Sequence, residues 1–407
     1  MRKFTYWTSL ILIFMIPWED SLTIGALGSL ARLAGIGIAG FWLAAVLLDG
    51  RLRKPHLFHA LALLFFLWNA ASLFWSPFSA SVLQRVKTYA QIYVLTIILW
   101  ETYQKRSELM AALQAYILGS FVLIYSSIHN YITGSIAVAY EGRYSATGVN
   151  AVDMTLILML GLPIALQLFF MNVSAGKSPL LQILNLAYIP LAIFSALLTG
   201  SRTSLVAILP FGVYLVVTRH IKVQKKLLVL GLLLFSMSVL FPFLPSSVIS
   251  RLSTVGVSIE EMDLGGRVDL WREGIEVLAQ HPLMGVGGGA IDLSIGSAVH
   301  NTFISIAAET GFIGFLLFSL MLGLAVFDVT RKPKSNGGLW LVAFLTWAIG
   351  VLSLSWEFRK ITWILLSFMI IESNLTNQAS ELLPETVQPS FKASGLRPRA
   401  KAAPLNK

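Results

Sequence analysis

A histidine stands where a polar stretch of this chain meets a long apolar stretch. His300 and Asn301 come directly before this apolar segment, which also contains a single carboxylate at Glu309. A histidine of ordinary pKa can take a proton from an alcohol, so His300 is a candidate general base and Asn301 a candidate substrate-binding residue. The alternative for His300 is structural, because a polar side chain here could cap the helix or bind a carbonyl group.

Glu309 follows His300 by nine residues. On an α-helix this spacing corresponds to about 900° of rotation and about 13 Å of rise. The two side chains are therefore expected to face in different directions. We interpret Glu309 as a structural brace that bonds a polar group on a neighbouring helix, such as an arginine or a tryptophan, and not as a catalytic partner of His300.

Two arginines follow glycine-containing turns. Arg202 comes after Gly200 and Ser201, and Arg267 opens an amphipathic stretch after a pair of glycines. The planar guanidinium binds a phosphate through two hydrogen bonds, and the first amides of a helix also favour an anion. The sequence therefore predicts an anion site at Arg202 and Arg267, with Ser201 assisting. Pairing with carboxylates is the alternative. Two further arginines are weaker candidates for substrate binding: Arg143 and Arg272.

The elements that must position these residues are apolar. Of 407 residues, 56% are hydrophobic and 12% are charged, which is about half the charged fraction of a soluble domain. This composition predicts an all-α integral membrane protein. The chain has no cysteine and six histidines without metal-ligand spacing, so thiol chemistry is excluded and we expect no metal site and no cofactor.

Apolar segments of near-spanning length fill residues 1–376, which we predict to be one polytopic membrane domain. A large segment, 246–300, separates the ninth and tenth helices, and its residues 267–280 have amphipathic helical spacing typical of a helix on a membrane surface. Residues 377–407 are predicted to be a disordered cytoplasmic tail. We predict twelve spans, at about 4–17, 29–48, 56–75, 86–101, 107–129, 150–172, 178–199, 203–218, 227–245, 301–327, 338–355 and 360–376.

The distribution of basic residues predicts the orientation. With the N-terminus in the cytoplasm, twelve spans place both termini and 20 of the 30 basic residues on the cytoplasmic side. His300 and the segment 246–300 then lie outside the cytoplasm. Ten basic residues remain on that outer side, and eight of them are arginines, which suggests an anionic, lipid-linked ligand with a phosphate or pyrophosphate. Anchoring to lipid headgroups is the alternative. The ten are Arg32, Arg85, Lys87, Arg143, Arg202, Arg251, Arg267, Arg272, Arg359 and Lys360.

Five motifs follow one another along the chain: Arg143 to Asn150, Gly200 to Ser204, Gly266-Arg267 with Trp271, His281 to Gly287, and His300-Asn301 with Glu309 to Gly314. Through these motifs, from about Arg143 to Phe318, the chain resembles the O-antigen ligase and Wzy polymerase superfamily of bacterial inner membranes. The resemblance implies a metal-independent, GT-C-like glycosyltransferase that takes a glycan from undecaprenyl pyrophosphate. It also implies that Arg202 and Arg267 hold the pyrophosphate and that His300 is the essential histidine.

The expected activity is that of an O-antigen ligase, which passes the glycan to a sugar hydroxyl of lipid A–core at the periplasmic face. A Wzy-type repeat-unit polymerase with the same site is the alternative, although the single large outer segment favours a ligase. A protein O-oligosaccharyltransferase is disfavoured because its extra C-terminal domain is missing. A transporter or flippase is disfavoured because the polar groups gather at one face and not at the bilayer midplane.

Overall fold

A computed structural model describes residues 1–25, 28–135, 142–174, 176, 178–217, 222–253, 266–331 and 337–381. These residues are almost entirely helical, with one two-stranded hairpin in which β1 (Thr23–Ile24) pairs antiparallel with β2 (Gly28–Ser29). The sixteen described helices are α1 (Arg2–Met15), α2 (Leu30–Asp49), α3 (Leu57–Ala71), α4 (Ser79–Thr102), α5 (Arg106–Thr133), α6 (Ala151–Ser174), α7 (Pro179–Leu198), α8 (Arg202–Ala207), α9 (Leu209–Val217), α10 (Val223–Leu240), α11 (Ser246–Ser253), α12 (Arg267–Gln280), α13 (Ile291–Ile295), α14 (Thr302–Thr330), α15 (Gly337–Gly350) and α16 (Lys360–Glu381).

Each predicted span falls on a helix, but fewer helices have the dimensions of a span. Among the described residues, seven helical segments are long and apolar enough to cross a membrane. Of the other five predicted spans, three fall on short helices, since α1 and α15 have 14 residues each and α9 has nine. The remaining two fall on α4 and α16, which have 24 and 22 residues but are not among the sufficiently apolar helices. The all-α membrane class is confirmed, whereas the count of twelve spans stays a prediction. The seven are Leu30–Asp49, Leu57–Phe74, Arg106–Thr133, Ala151–Val173, Pro179–Leu198, Val223–Phe243 and Thr302–Thr330.

The large segment 246–300 contains α11, α12 and α13 in its described part. The amphipathic stretch forms α12 with the predicted bounds, Arg267–Gln280. This helix packs on the first turns of α14, where Gly274 is buried and a methyl group in its place would lie 2.7 Å from Ile304. Of the predicted tail, residues 377–381 continue α16. The remaining tail residues, 382–407, lie outside the described residues.

Helix α14 is broken at Gly311, which has φ 64° and ψ −171°. The backbone on both sides of the break pairs with the loop after α12: the amide of Val286 donates to the carbonyl of Ala308, and the amide of Phe312 donates to that of Pro282. The carbonyls that the break frees inside an apolar segment are thereby satisfied. A side chain at Gly311 would place its Cβ 2.2 Å from the carbonyl oxygen of Leu283, so only glycine fits.

Three consecutive glycines at the end of this loop, residues 287–289, allow it to lie against the turn between α3 and α4. The amide of Gly288 donates to the hydroxyl of Ser72 at 3.2 Å, and the hydroxyl of Ser81 donates to the carbonyl of Gly289. A Cβ at Gly287 would lie 2.4 Å from the hydroxyl of Ser76. The loop is therefore fixed between α14 and the α3–α4 turn, with its backbone as the contacting surface.

Candidate active site

One polar cavity of about 720 Å³ brings together residues from distant parts of the chain. The predicted residues Arg143, Ser201, Arg202, Arg267 and His300 all line it. The lining also contains Arg85, Arg251 and Arg359. From the sequence, these three were placed on the outer side only as members of the set of ten basic residues. Six of the eight arginines assigned to the outer side from the sequence therefore meet in one cavity.

Four of these arginines form what we call the arginine group: Arg143, Arg202, Arg251 and Arg267. The turn between α7 and α8 organises it, because the carbonyl of Thr199 accepts a hydrogen bond from Nε of Arg143 at 2.7 Å. The next carbonyl, that of Gly200, accepts one from Nε of Arg251 at 3.1 Å. Gly200 itself has φ 58°, and a Cβ there would lie 3.3 Å from the Arg251 side chain.

Arg202 and Arg267 each stand at the first position of a helix, α8 and α12 respectively. Burial and the nearby charges of Arg202 and Arg251 lower the pKa of the Arg267 guanidinium below its ordinary value. Guanidinium groups that repel one another in this way favour an anion between them. The arginine group can therefore stabilise a multiply charged oxyanion such as a phosphate or a pyrophosphate.

His300 is half-buried at the cavity wall and has φ 52°, which makes it the single non-glycine residue with positive φ in the described part of the chain. Such a backbone is costly for a side chain other than glycine and often marks a functional position. Burial and the charge of Arg267 lower the pKa of the His300 imidazole, although Asp292 and Asp153 oppose this. The imidazole is therefore neutral at pH 7 and can accept a proton.

Two predicted substrate-binding residues do not line the cavity. The side chain of Asn301 caps α14 by accepting hydrogen bonds from the amides of Phe303 at 3.0 Å and Ile304 at 3.2 Å. Arg272 is 68% exposed and pairs with Asp269 on the outer surface of α12. An asparagine directly before an apolar helix favours an N-terminal cap, so the capping role of Asn301 was predictable from the sequence.

Glu309 lies behind the cavity wall and is 1% exposed. Its Oε1 lies 3.3 Å from one terminal nitrogen of Arg85, whose other terminal nitrogen lies 3.3 Å from Oε1 of Glu357. The neighbouring Thr310 carbonyl accepts a hydrogen bond from Nε1 of Trp68 at 2.8 Å. Glu309 thus forms an ion pair with an arginine of a neighbouring helix, α4.

The segment between α15 and α16 supplies cavity residues that no sequence motif indicated. Nε1 of Trp356 donates to Asp153 at 2.7 Å, and Arg359 also binds Asp153, at 3.1 Å. The amide of Trp356 donates to the hydroxyl of Thr302 at 2.7 Å. Thr302 is two residues after His300 in the chain. This segment is therefore attached both to α6 and to the start of α14.

The family model described as O-antigen ligase (Wzy_C) matches residues 187–319, which contain Ser201, Arg202, Arg267, His300 and Glu309. Over this region the chain is similar to the O-antigen ligase/Wzy superfamily. The chain is also similar to the exopolysaccharide production protein ExoQ of Rhizobium meliloti (strain 1021), with 33% identity over 99 residues. That alignment covers 20% of this chain and 23% of ExoQ.

The match to an O-antigen ligase model and the similarity to an exopolysaccharide production protein support an enzyme of the general ligase or polymerase kind. Its several apolar helices make it a multi-pass membrane protein. Within the described residues, no group of three or more histidine, aspartate or glutamate residues is arranged to hold a metal ion. The superfamily model ends at residue 319, so Arg359 and the rest of the segment before α16 lie beyond the matched region.

Proposed function

We propose that this chain is an O-antigen ligase. It transfers a glycan from undecaprenyl pyrophosphate to a sugar hydroxyl of lipid A–core, at the periplasmic face of the bacterial inner membrane and without a metal ion. The observation that supports this proposal most directly is the shared cavity of Arg202, Arg267 and His300. A cavity with an anion-binding wall and a neutral imidazole has the two groups that such a transfer needs.

The reaction that we propose is a direct displacement at the anomeric carbon of the donor sugar. His300 takes the proton of the acceptor hydroxyl while its oxygen forms a bond to the anomeric carbon. The bond between that carbon and the phosphate oxygen breaks, and the electron pair leaves with undecaprenyl pyrophosphate. Arg202 and Arg267, with Arg143 and Arg251 beside them, stabilise the charge that develops on the leaving group.

A Wzy-type repeat-unit polymerase is the second candidate, and the similarity to ExoQ favours it because ExoQ is described as an exopolysaccharide production protein. Such a polymerase would use the same cavity and a second lipid-linked repeat unit as the acceptor. Donor binding and chemistry would be unchanged, and only the acceptor would differ.

The deciding experiment offers the purified protein an undecaprenyl-pyrophosphate-linked glycan with and without lipid A–core. Transfer that occurs only with lipid A–core supports the ligase, and chain growth without it supports the polymerase. Absence of both products, with a protein that remains folded, would refute the glycosyltransferase proposal. A His300→Ala variant provides the control for product formed independently of the site.

We further propose that residues 1–376 form a polytopic membrane domain with both termini in the cytoplasm and the cavity in the periplasm. The distribution of basic residues supports this orientation. Because the chain has no cysteine, single cysteines can be introduced at exposed positions and labelled in intact cells. A membrane-impermeant maleimide should label Ser294→Cys but not Lys54→Cys, and the reverse pattern would invert the topology.

A further inference from the structure

The cavity has a second chemical side, which we call the acidic side: Asp292, Ser355 and Glu357. Asp292 stands in the first turn of α13, whereas Ser355 and Glu357 belong to the segment between α15 and α16. None of these elements carries a residue of the arginine group. The cavity therefore combines an anion-binding group and an acidic group that come from different parts of the chain.

Two polar atoms of the acidic side lack a protein partner. Glu357 is 0% exposed, and its Oε1 accepts hydrogen bonds from Arg85 at 3.3 Å and from the hydroxyl of Ser305 at 3.1 Å. Its Oε2 has no hydrogen-bond partner in the described part of the chain, and the same holds for the hydroxyl oxygen of Ser355. A buried polar atom without a partner is costly, so these two atoms are prepared to bind a ligand.

His300 lines the same cavity as both sides. The charges that act on its imidazole include those of Arg267, from the arginine group, and of Asp292, from the acidic side. By contrast, the charges that act on Arg267 are those of Arg202 and Arg251. A proton acceptor in this position can receive a hydroxyl from the acidic side while the leaving group stays with the arginines.

We propose that Glu357 and Ser355 form the subsite that binds hydroxyl groups of the acceptor sugar. This inference rests on the proposed function, and it assigns the acceptor to one side of the cavity. Carboxylate and hydroxyl oxygens accept hydrogen bonds from sugar hydroxyls, whereas the arginine group on the other side of the cavity attracts the phosphates. In a direct displacement the acceptor approaches the anomeric carbon from the side opposite the leaving group, which places it away from the arginine group.

The test is equilibrium binding of two phosphate-free glycans to the purified full-length protein: deacylated core oligosaccharide without its phosphates, and a free repeat-unit oligosaccharide. The Glu357→Gln variant should bind the preferred glycan about 10-fold more weakly, because it loses charge-assisted hydrogen bonds. Ser355→Ala should weaken binding about threefold, as expected for one neutral hydrogen bond. The matched control is Glu309→Gln, which removes the other carboxylate on Arg85 but lies outside the cavity lining.

Each outcome decides the proposal. It is overturned if the wild-type protein binds neither glycan, if both acidic-side variants bind as wild type does, or if Glu309→Gln weakens binding as much as Glu357→Gln. Should Glu357→Gln fail to fold, Ser355→Ala alone decides. A transfer assay with the donor is run in parallel. Glycan binding that depends on Glu357 in a protein that transfers nothing would refute the proposed function and leave this sugar subsite standing.

Discussion

The guanidinium of Arg85 lies 3.3 Å from the carboxylate of Glu309 and joins α4 to α14 behind the cavity. Arg85 is 12% exposed and shares its charge between Glu309 and Glu357, so one cation holds two buried carboxylates. Because Glu357 lines the cavity and Glu309 does not, the same arginine connects the interior of the helix bundle with the cavity wall.

We predict that Glu309→Ala lowers stability strongly. The change removes one partner of a buried arginine, and breaking a buried ion pair typically costs about 3–5 kcal/mol. Thermal unfolding in detergent should show a clearly lower midpoint than for the wild type. Asp269→Ala is the control, because its pair with Arg272 is exposed and contributes little. Equal midpoints for the two variants would contradict the role of Glu309 as a brace.

Arg202→Lys is expected to lose at least about 100-fold in transfer rate, on the scale measured when an enzyme loses one stabilising donor. Lysine keeps the positive charge but cannot bind a pyrophosphate through a planar fork. The measurement is initial rate at saturating donor. The control is Arg272→Lys, which alters an arginine outside the cavity lining and should retain wild-type activity. Wild-type turnover in Arg202→Lys would rule out the bidentate contact.

The pH dependence of transfer should report His300. Burial and the charge of Arg267 lower the pKa of the His300 imidazole from 6.5, so the neutral form predominates at pH 7 and the acidic limb of the rate profile should lie below pH 6.5. Asp292 raises this pKa, so Asp292→Asn should move the acidic limb of the rate profile to still lower pH. A limb that moves to higher pH in this variant would exclude His300 as the titrating group.

Gly311→Ala should destabilise the protein far more than an equivalent change elsewhere in α14. The new Cβ would lie 2.2 Å from the Leu283 carbonyl oxygen, and the φ of 64° disfavours alanine as well. Gly323→Ala in the same helix meets no atom within 4 Å and should be neutral or slightly stabilising. Similar unfolding temperatures for both variants would mean that the break at Gly311 is not required.

Chelation should leave transfer unchanged, because the arginine group supplies the charge stabilisation that a metal ion provides in many glycosyltransferases. Activity is to be measured after dialysis against EDTA and again after addition of Mg²⁺ or Mn²⁺. Complete loss that either ion restores would contradict the metal-independent mechanism.

The positions of the helices were predictable because long apolar runs have few alternatives in a membrane protein. The amphipathic helix at 267–280 was predictable from periodicity alone, with the bounds that the structure gives. The count of spans was not, because α1, α9 and α15 are apolar but short, whereas α4 and α16 are long but less apolar. Hydropathy thus predicts where apolar helices lie more reliably than it predicts which of them cross the membrane.

The candidate site was only partly predictable. Arg202, Arg267 and His300 lie where polar turns meet the starts of helices. This local pattern can be seen in the sequence, so these three residues were predictable. Glu357 and Arg251 carry no such signal, because they reach the cavity only through the packing of distant segments. Asn301 was predicted as a substrate-binding residue, whereas its position directly before an apolar helix favours the helix cap that the structure shows.

Main-chain hydrogen bonds attach the loop between α12 and α13 to α14. The amides of Val286 and Gly287 donate to the carbonyls of Ala308 and Glu309, at 3.0 and 2.8 Å. The side chains of Leu283 and Met284 are 63% and 48% exposed. Sequence change at 283 and 284 can therefore alter the exposed surface of the protein while the main-chain bonds keep the loop in place.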